Sequence, residues 1–348
     1  MHARLIRTSI ARAATAPLCA AYASALAHKN RRFDRGIGVA RLPVPVISVG
    51  NLSVGGTGKT PVVSAIVETL SGWGLRPCIA MRGYAPQGGV SDEAVQHRER
   101  FPTVPVVAQP DRLSGLHSLM ASEPGRVGCV VLDDGFQHRQ IARDLDIVLI
   151  DATRPPHEDR LLPAGRLREP VESLRRAHIA VLTRCEQVQE DRRAEVTQHI
   201  ARQTPSVIQV RSTWIGLSVS EGGADTDQAL SAARGRAILL VSAIGNPRAF
   251  ESVARAEFGE SPALRFRDHD PYGPSAIQRI ASAIHEHRAE LVLTTEKDWV
   301  KLRRHAPKLG VPVARPRLDI EFLQGGDEFW SALERTARGT PGHGKSHE

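Results

Sequence analysis

SVGNLSVGGTGKTPVV, residues 48–63, decides the fold. The approach, VPVISVGN (44–51), is continuously apolar, as a strand buried on both faces must be. SVGGTGKT (53–60) follows directly, and the residues after Thr60 read as a helix. Strand, glycine loop, Lys-Thr and helix form the order a P-loop requires. Ser53, Val54, Gly55, Gly56, Thr57, Gly58, Lys59 and Thr60 are therefore the expected phosphate cradle. The glycines let backbone N–H groups converge on phosphate oxygens, and the helix N-terminus adds its positive dipole end. Lys59 reaches the β and γ phosphates, and the Thr60 hydroxyl ligates Mg²⁺. Pro61 fits the first helical turn, where its missing N–H is no loss. One position departs from the usual motif. Ser53 stands where the first glycine belongs, and Gly55 and Gly56 are expected to supply the flexibility instead.

The metal needs an acidic partner. RVGCVVLDDGFQHR (126–139) places an apolar strand before Asp133-Asp134. Carboxylates at the carboxyl end of a strand beside the P-loop strand face the same crevice. LDIVLID (145–151) is a further apolar strand and ends in Asp151. Other strand candidates lie at 78–81, 104–107, 179–183, 237–242 and 291–294, with helical or polar spacers. They predict an α/β fold: a P-loop NTPase-like, mostly parallel sheet with helices on both faces, plus a second, smaller α/β domain.

The chain has 348 residues, 41% hydrophobic and 24% charged, which suits a folded protein of two domains. Its net charge of +8 is uneven: residues 1–41 hold eight basic residues against Asp34 alone, a net +7. A nearly neutral remainder argues against a nucleic-acid partner. Four dispersed cysteines form no CxxC pair and read as reduced thiols, and the histidines lack HExxH spacing. Residues 13–27 are uncharged but short and rich in alanine, whereas a spanning helix needs about 20 strongly apolar residues. A signal peptide would share the basic start and small residues, but a P-loop follows. The favoured reading is a helix on an anionic membrane surface, with Leu18, Tyr22 and Leu26 on one face and Pro17 dividing the segment. Each basic residue near an anionic leaflet contributes about 1 kcal/mol. Packing against the protein body is the competing reading.

These features describe an ATP- or GTP-dependent phosphotransfer or motor protein. Thr295-Glu296-Lys297-Asp298 approaches the guanine-reading N/T-K-x-D pattern but has one residue too many before the lysine. The signature lysine of dimeric P-loop ATPases would fall near Val54 and is absent. The ordered set GNLSVGGTGKTP, Arg82-Gly83-Tyr84, SDE (91–93), LDDGFQHR, RDLDIVLID, LLPAG-R-LREP (161–170), IGNP (244–247), RDHD (267–270) and TEKD resembles the tetraacyldisaccharide 4′-kinases of lipid A biosynthesis. The resemblance implies ATP and Mg²⁺ as cofactors. It implies an acylated glucosamine disaccharide 1-phosphate as acceptor, and a peripheral position on the cytoplasmic face of the inner membrane. It also implies Asp92 as base, paired with His269, and Lys59 as the phosphoryl-stabilising cation. Thr60 and Asp134 are the implied metal ligands, with Asp133 as alternative. Arg82, Glu93, His138, Arg168 and Glu169 are candidate substrate or supporting groups. Ser91 and Ala94 replace the family's glycine and proline beside Asp92, and Ala85-Pro86 and TRPPHED (153–159) are further departures.

The expected organisation is a membrane-associating helical segment at 1–30, a P-loop kinase domain at 31–212 and a linker at 213–230. A smaller α/β domain at 231–337 and a disordered tail at 338–348 complete it. The site would lie in the cleft, with hinge closure assembling it. A P-loop ATPase driving a conformational or partner-binding cycle is the alternative of a different class.

Overall fold

The computed structural model describes residues 2–83, 91–268 and 270–339, with side chains from residue 17 onward. Along the chain run α1 (His2–Asp34), β1 (Val46–Asn51), α2 (Lys59–Gly72), β2 (Pro77–Met81), α3 (Asp92–Arg100), β3 (Val106–Ala108) and α4 (Arg112–Ser122). Next come β4 (Cys129–Asp133), β5 (Leu145–Asp151), β6 (Ile179–Thr183), α5 (Glu190–Ala201), β7 (Val207–Glu221) and β8 (Ala224–Gln228). The chain ends with β9 (Ile238–Ser242), α6 (Pro247–Phe258), β10 (Ala263–Arg265), α7 (Pro274–Glu286), β11 (Leu291–Thr294), α8 (Glu296–Leu302), β12 (Val313–Gln324) and α9 (Gly326–Arg338).

Two compact units share these elements. The first holds residues 1–86, 102–212 and 320–348; the second holds 87–101 and 213–319. The chain passes between them after residues 86, 101, 212 and 319, the last two within β7 and β12.

In the first unit the strand order is β7-β6-β5-β1-β4-β2-β3, with every neighbouring pair parallel. Every residue of β1, β2, β4, β5 and β6 is buried, which is why their sequences are mostly apolar rather than alternating. Val62, Val63, Ile66 and Leu70 of α2 are buried as well, so the helix after the glycine loop is fixed by an apolar face. The register sets Val49 of β1 level with Asp133 of β4, so β4 ends two residues short of the end of β1. Close approach there depends on Gly50. A Cβ on it would lie 2.6 Å from both the Cβ and the backbone nitrogen of Phe136.

The second unit carries parallel strands in the order β10-β9-β11-β12. Its β7 forms an antiparallel hairpin with β8. The stretch 213–230, read as a linker, is thus mostly strand. Leu217 and Val219 are buried in the second unit's core, and that alternation outweighs the polar residues between them. The segment containing Asp92, read with the P-loop domain, clusters with residues 213–319.

The N-terminal segment also differs from expectation. Pro17 lies inside one continuous helix, so it does not divide the segment. Cys19, Tyr22, Ala23, Leu26, Asn30 and Phe33 form the partly buried stripe. Their spacing of three and four marks the face that packs on the first unit. Tyr22 and Leu26 therefore face protein, while Leu18 is 60% exposed. Among the described residues no helix is long and apolar enough to cross a membrane. The tail beyond Gly339 lies outside the described residues.

Gly50→Ala should destabilise the first unit by about 2 kcal/mol, the cost of forcing a methyl into a filled site. Urea denaturation should show a lower midpoint at unchanged slope, and an unaltered midpoint would contradict the packing described.

Candidate active site

The glycine loop joins β1 to α2 as the sequence reading requires. Gly58 takes φ 77° immediately before Lys59 and lets the chain turn into the helix without a Cβ clash. Gly55 also has positive φ, at 106°, whereas neither Ser53 nor Gly56 does. The serine therefore costs no strain, and Gly58 rather than Gly56 is the second left-handed position. Instead, Ser53 forms an antiparallel bridge with Leu167.

Across from the loop stands Asp134. Its backbone is left-handed at φ 53°, an uncommon state for a residue with a side chain. Three buried or half-buried groups hold that turn. Arg112 donates to the Asp134 carbonyl at 3.1 Å, and Arg143 donates to the carbonyls of Gly135 at 2.8 Å and Phe136 at 2.9 Å. The Gly135 N–H donates to the Val49 carbonyl of β1 at 3.1 Å. So presented, the Asp134 carboxylate meets Lys59 Nζ at 3.3 Å and Arg168 at 2.8 Å. Burial alone would raise its pKa; Lys59 and Arg168 outweigh that and bring it down to about 2. Lys59 contacts Asp134 rather than its neighbour Asp133, which is buried at the end of β4.

Arg168 is the hub of a wider network. It also donates to Gln137 at 3.1 Å and to Asn51 at 3.2 Å. Asn51 in turn donates to the Thr57 hydroxyl at 3.0 Å, which ties the end of β1 to the loop. Glu169 is almost fully buried and accepts from Arg176 at 2.8 Å, Gln137 at 3.2 Å and Asn30 at 3.3 Å. With both oxygens engaged by side chains, it acts as an anchor. The Tyr22 hydroxyl donates to the Arg168 carbonyl at 2.8 Å, so α1 is fastened directly to the segment that faces Asp134.

His138 has its pKa lowered to about 4, by burial first and then by Arg112 and Arg143. It is neutral near pH 7 and contributes no charge to the site. Arg82 is exposed at the end of β2. Tyr84 and His269 lie outside the described residues.

Asp92 occupies the first turn of α3 in the second unit. Ser91 caps that helix by accepting from the Ala94 N–H at 3.2 Å, which explains how the serine substitutes for a glycine here. Asp92 pairs with Lys301 of α8 at 3.2 Å, and Glu93 is exposed. The TEKD motif proves to be a helix start. Thr295 accepts from the Asp298 N–H and donates to its carboxylate at 2.7 Å, and Asp298 accepts from the Ala243 N–H at 3.1 Å. Glu296 pairs with Arg315 at 3.0 Å and Lys297 with Asp268 at 3.6 Å. All these contacts are internal to the second unit.

Asn51, Arg112, Gln137, Arg143 and Arg176 escaped the sequence reading. Arg143 and Gln137 sat inside quoted motifs, but only their partners reveal their use. Among the described residues, His157, Glu195 and His199 also bring potential metal-binding atoms together. Their imidazole rings are stacked 4.1 Å apart and Arg192 pairs with Glu195 at 2.7 Å. Parallel rings with a guanidinium alongside do not aim two lone pairs at one ion.

A parallel sheet whose glycine loop leads into a Lys-Thr helix, opposed by an aspartate from the turn after the adjacent strand, defines a P-loop nucleotide-binding protein. Residues 11–338 match the pattern of the family described as LpxK, tetraacyldisaccharide-1-P 4′-kinase, and the chain belongs to that family. It is 36% identical over 348 residues to a tetraacyldisaccharide 4′-kinase of Chlorobaculum parvum, covering 91% of this chain and 92% of the relative. Against the enzyme of that name from Bdellovibrio bacteriovorus it is 32% identical, over 84% of this chain and 90% of the relative. A crystal structure of LpxK from Aquifex aeolicus, described as an "apo" form in complex with ATP, superposes with a TM-score of 0.74 at 27% identity. That match covers 93% of this chain and 99% of the other.

Because the Asp134 pKa is depressed, its carboxylate stabilises the fold fully above its ordinary value of 3.8 and loses that contribution as pH falls toward about 2. Lys59→Ala removes one of the two cations. The midpoint of Asp134, followed by NMR of its carboxyl carbon, should rise from about 2 toward 3.8. An unmoved midpoint would separate Lys59 from this carboxylate.

Proposed function

We propose that this chain transfers the γ-phosphoryl group of ATP to the 4′-hydroxyl of a tetraacyldisaccharide 1-phosphate. The observation that carries the reading is the meeting of Lys59 with Asp134 at the N-terminus of α2, directly after the glycine loop. Family membership supplies the acceptor, because nothing in the loop itself selects one.

In this reading the loop amides from Ser53 to Thr60 bind the phosphates, and Lys59 balances charge on the group being transferred. Thr60 and Asp134 are suited to hold Mg²⁺. Both offer oxygen, the ligand atom of a hard cation, and the two cations at Asp134 keep its carboxylate ionised. When bound, the ion neutralises charge on the β and γ phosphate oxygens. Arg168 already touches Asp134 and serves to orient it. Asp92 is the base that takes the acceptor proton. It sits in the first turn of α3, and Lys301 at 3.2 Å fixes its carboxylate in place. By resemblance, His269 orients it.

The acceptor carries four acyl chains and resides in a membrane, so the protein must reach a bilayer surface. Exposed Lys29, Arg31, Arg32 and Arg35 on and just beyond the end of α1 provide positive charge. The remaining contribution is assigned to residues 1–18. Residues 19–34 are excluded from insertion in this reading because their apolar stripe is occupied by the first unit.

Labelled ATP, Mg²⁺ and the acylated disaccharide 1-phosphate should yield a 4′-phosphorylated product, and little ADP should form without the acceptor. Acceptor-independent ADP release would favour an ATPase cycle instead. Asp92→Ala should lower kcat by at least about 100-fold, as expected for loss of a positioned base, with ATP affinity nearly intact. Loss of ATP binding in that variant would remove Asp92 from the base role. Deleting residues 1–16 should weaken sedimentation with anionic liposomes while leaving thermal stability within a few degrees. Full retention of liposome binding would relocate the membrane contact.

A further inference from the structure

A P-loop binds phosphate only if its amide N–H groups point inward, and a planar peptide couples each N–H to the carbonyl of the preceding residue. The two point in opposite directions. Holding a loop carbonyl outward therefore holds the next N–H inward. In this chain three side-chain donors do that. Arg166 donates to the Val54 carbonyl at 3.2 Å, Arg184 to the Gly56 carbonyl at 2.7 Å, and the Thr183 hydroxyl to the Thr57 carbonyl at 2.8 Å. The amides so fixed are those of Gly55, Thr57 and Gly58.

Arg184 is the most elaborately held of the three. It follows β6 directly and takes a left-handed φ of 58°, unusual for a residue with a side chain. Its guanidinium also pairs with Asp151, the last residue of β5. Asp151 is buried, and its other oxygen accepts from the Thr153 N–H at 2.9 Å and the Thr153 hydroxyl at 2.6 Å. The carboxylate is thus immobile and points the arginine at the loop. Strained backbone that aims a charged group at a functional loop is the arrangement expected of a positioning device.

We infer that Arg184, oriented by Asp151, is a positioning residue for phosphate binding: it holds the Gly56 carbonyl outward and so presents the Thr57 N–H to the nucleotide. It acts on the loop and not on the phosphate. The inference rests on the reading of residues 53–60 as an ATP site.

The test is ATP binding and steady-state phosphoryl transfer in Arg184→Ala, Arg184→Lys, Asp151→Asn and the Arg184→Ala/Asp151→Asn pair, beside the intact chain and Lys59→Ala. Loss of a charge-assisted hydrogen bond predicts an ATP Kd and KM raised by about tenfold or more in Arg184→Ala, with kcat at saturating ATP within about twofold. Asp151→Asn should weaken ATP in the same direction, the double variant should be no worse than Arg184→Ala, and Arg184→Lys should recover part of the loss. Two outcomes overturn the inference. One is an unchanged ATP KM in Arg184→Ala. The other is tighter ATP binding in Asp151→Asn, which would mean that Arg184, once released, contacts phosphate itself. If Lys59→Ala binds ATP as the intact chain does, the ATP-site reading fails first. If only Lys59→Ala loses binding, the site stands and the Arg184 inference alone falls.

Discussion

Everything at this site depends on one carboxylate being held charged by two cations against the upward pull of desolvation. Asp134 lies at the end of a strand buried on both faces, and desolvation there favours the protonated acid. Two cations from distant parts of the chain, Lys59 and Arg168, reverse that preference. The arrangement is also geometric. A left-handed backbone turns Asp134 out of the strand direction, and the Arg112 and Arg143 guanidinium groups fix the carbonyls around the turn. Without that turn the carboxylate would follow the strand, and Lys59 would face no counter-charge.

A common device recurs through the first unit: buried or half-buried arginines donate to backbone carbonyls. Arg112 and Arg143 serve the turn after β4, and Arg166 and Arg184 serve the glycine loop. Guanidinium suits this use because it presents several donors in a rigid plane and stays charged. Both loops are irregular backbone, and a side-chain donor fixes the direction of a carbonyl that no regular ladder holds. Both loops are therefore shaped by side chains that lie outside them in sequence.

Glu169 extends the network to the N-terminal helix. Its carboxylate holds Asn30 of α1 together with Gln137 and Arg176, while Tyr22 holds the adjacent backbone. The helix that carries the chain's positive charge is thus braced against the segment that supplies Arg168. Its second half belongs to the folded body, and an apolar stripe that looked available to a membrane is already used. Position 17 teaches a related lesson. A proline within a helix need not end it when the turns on the body side are secured by packing, here through Cys19, Tyr22 and Leu26.

The amino-acid sequence by itself determined the parallel α/β fold, the glycine loop and its lysine, and the family. These rest on local signals: mostly apolar runs for doubly buried strands, and a fixed order of glycine, lysine and threonine before a helix. Tertiary structure decided which aspartate of the LDDG turn meets Lys59 and that most of 213–230 is strand. It also decided that Glu169 is an anchor and that Arg184 reaches the loop through Asp151. The Asp134, Glu169 and Arg184 assignments are contacts between residues distant in sequence, or a choice between neighbours set by backbone handedness. Spacing along the chain carries no record of either, because both arise only when the strands that bear them are brought side by side.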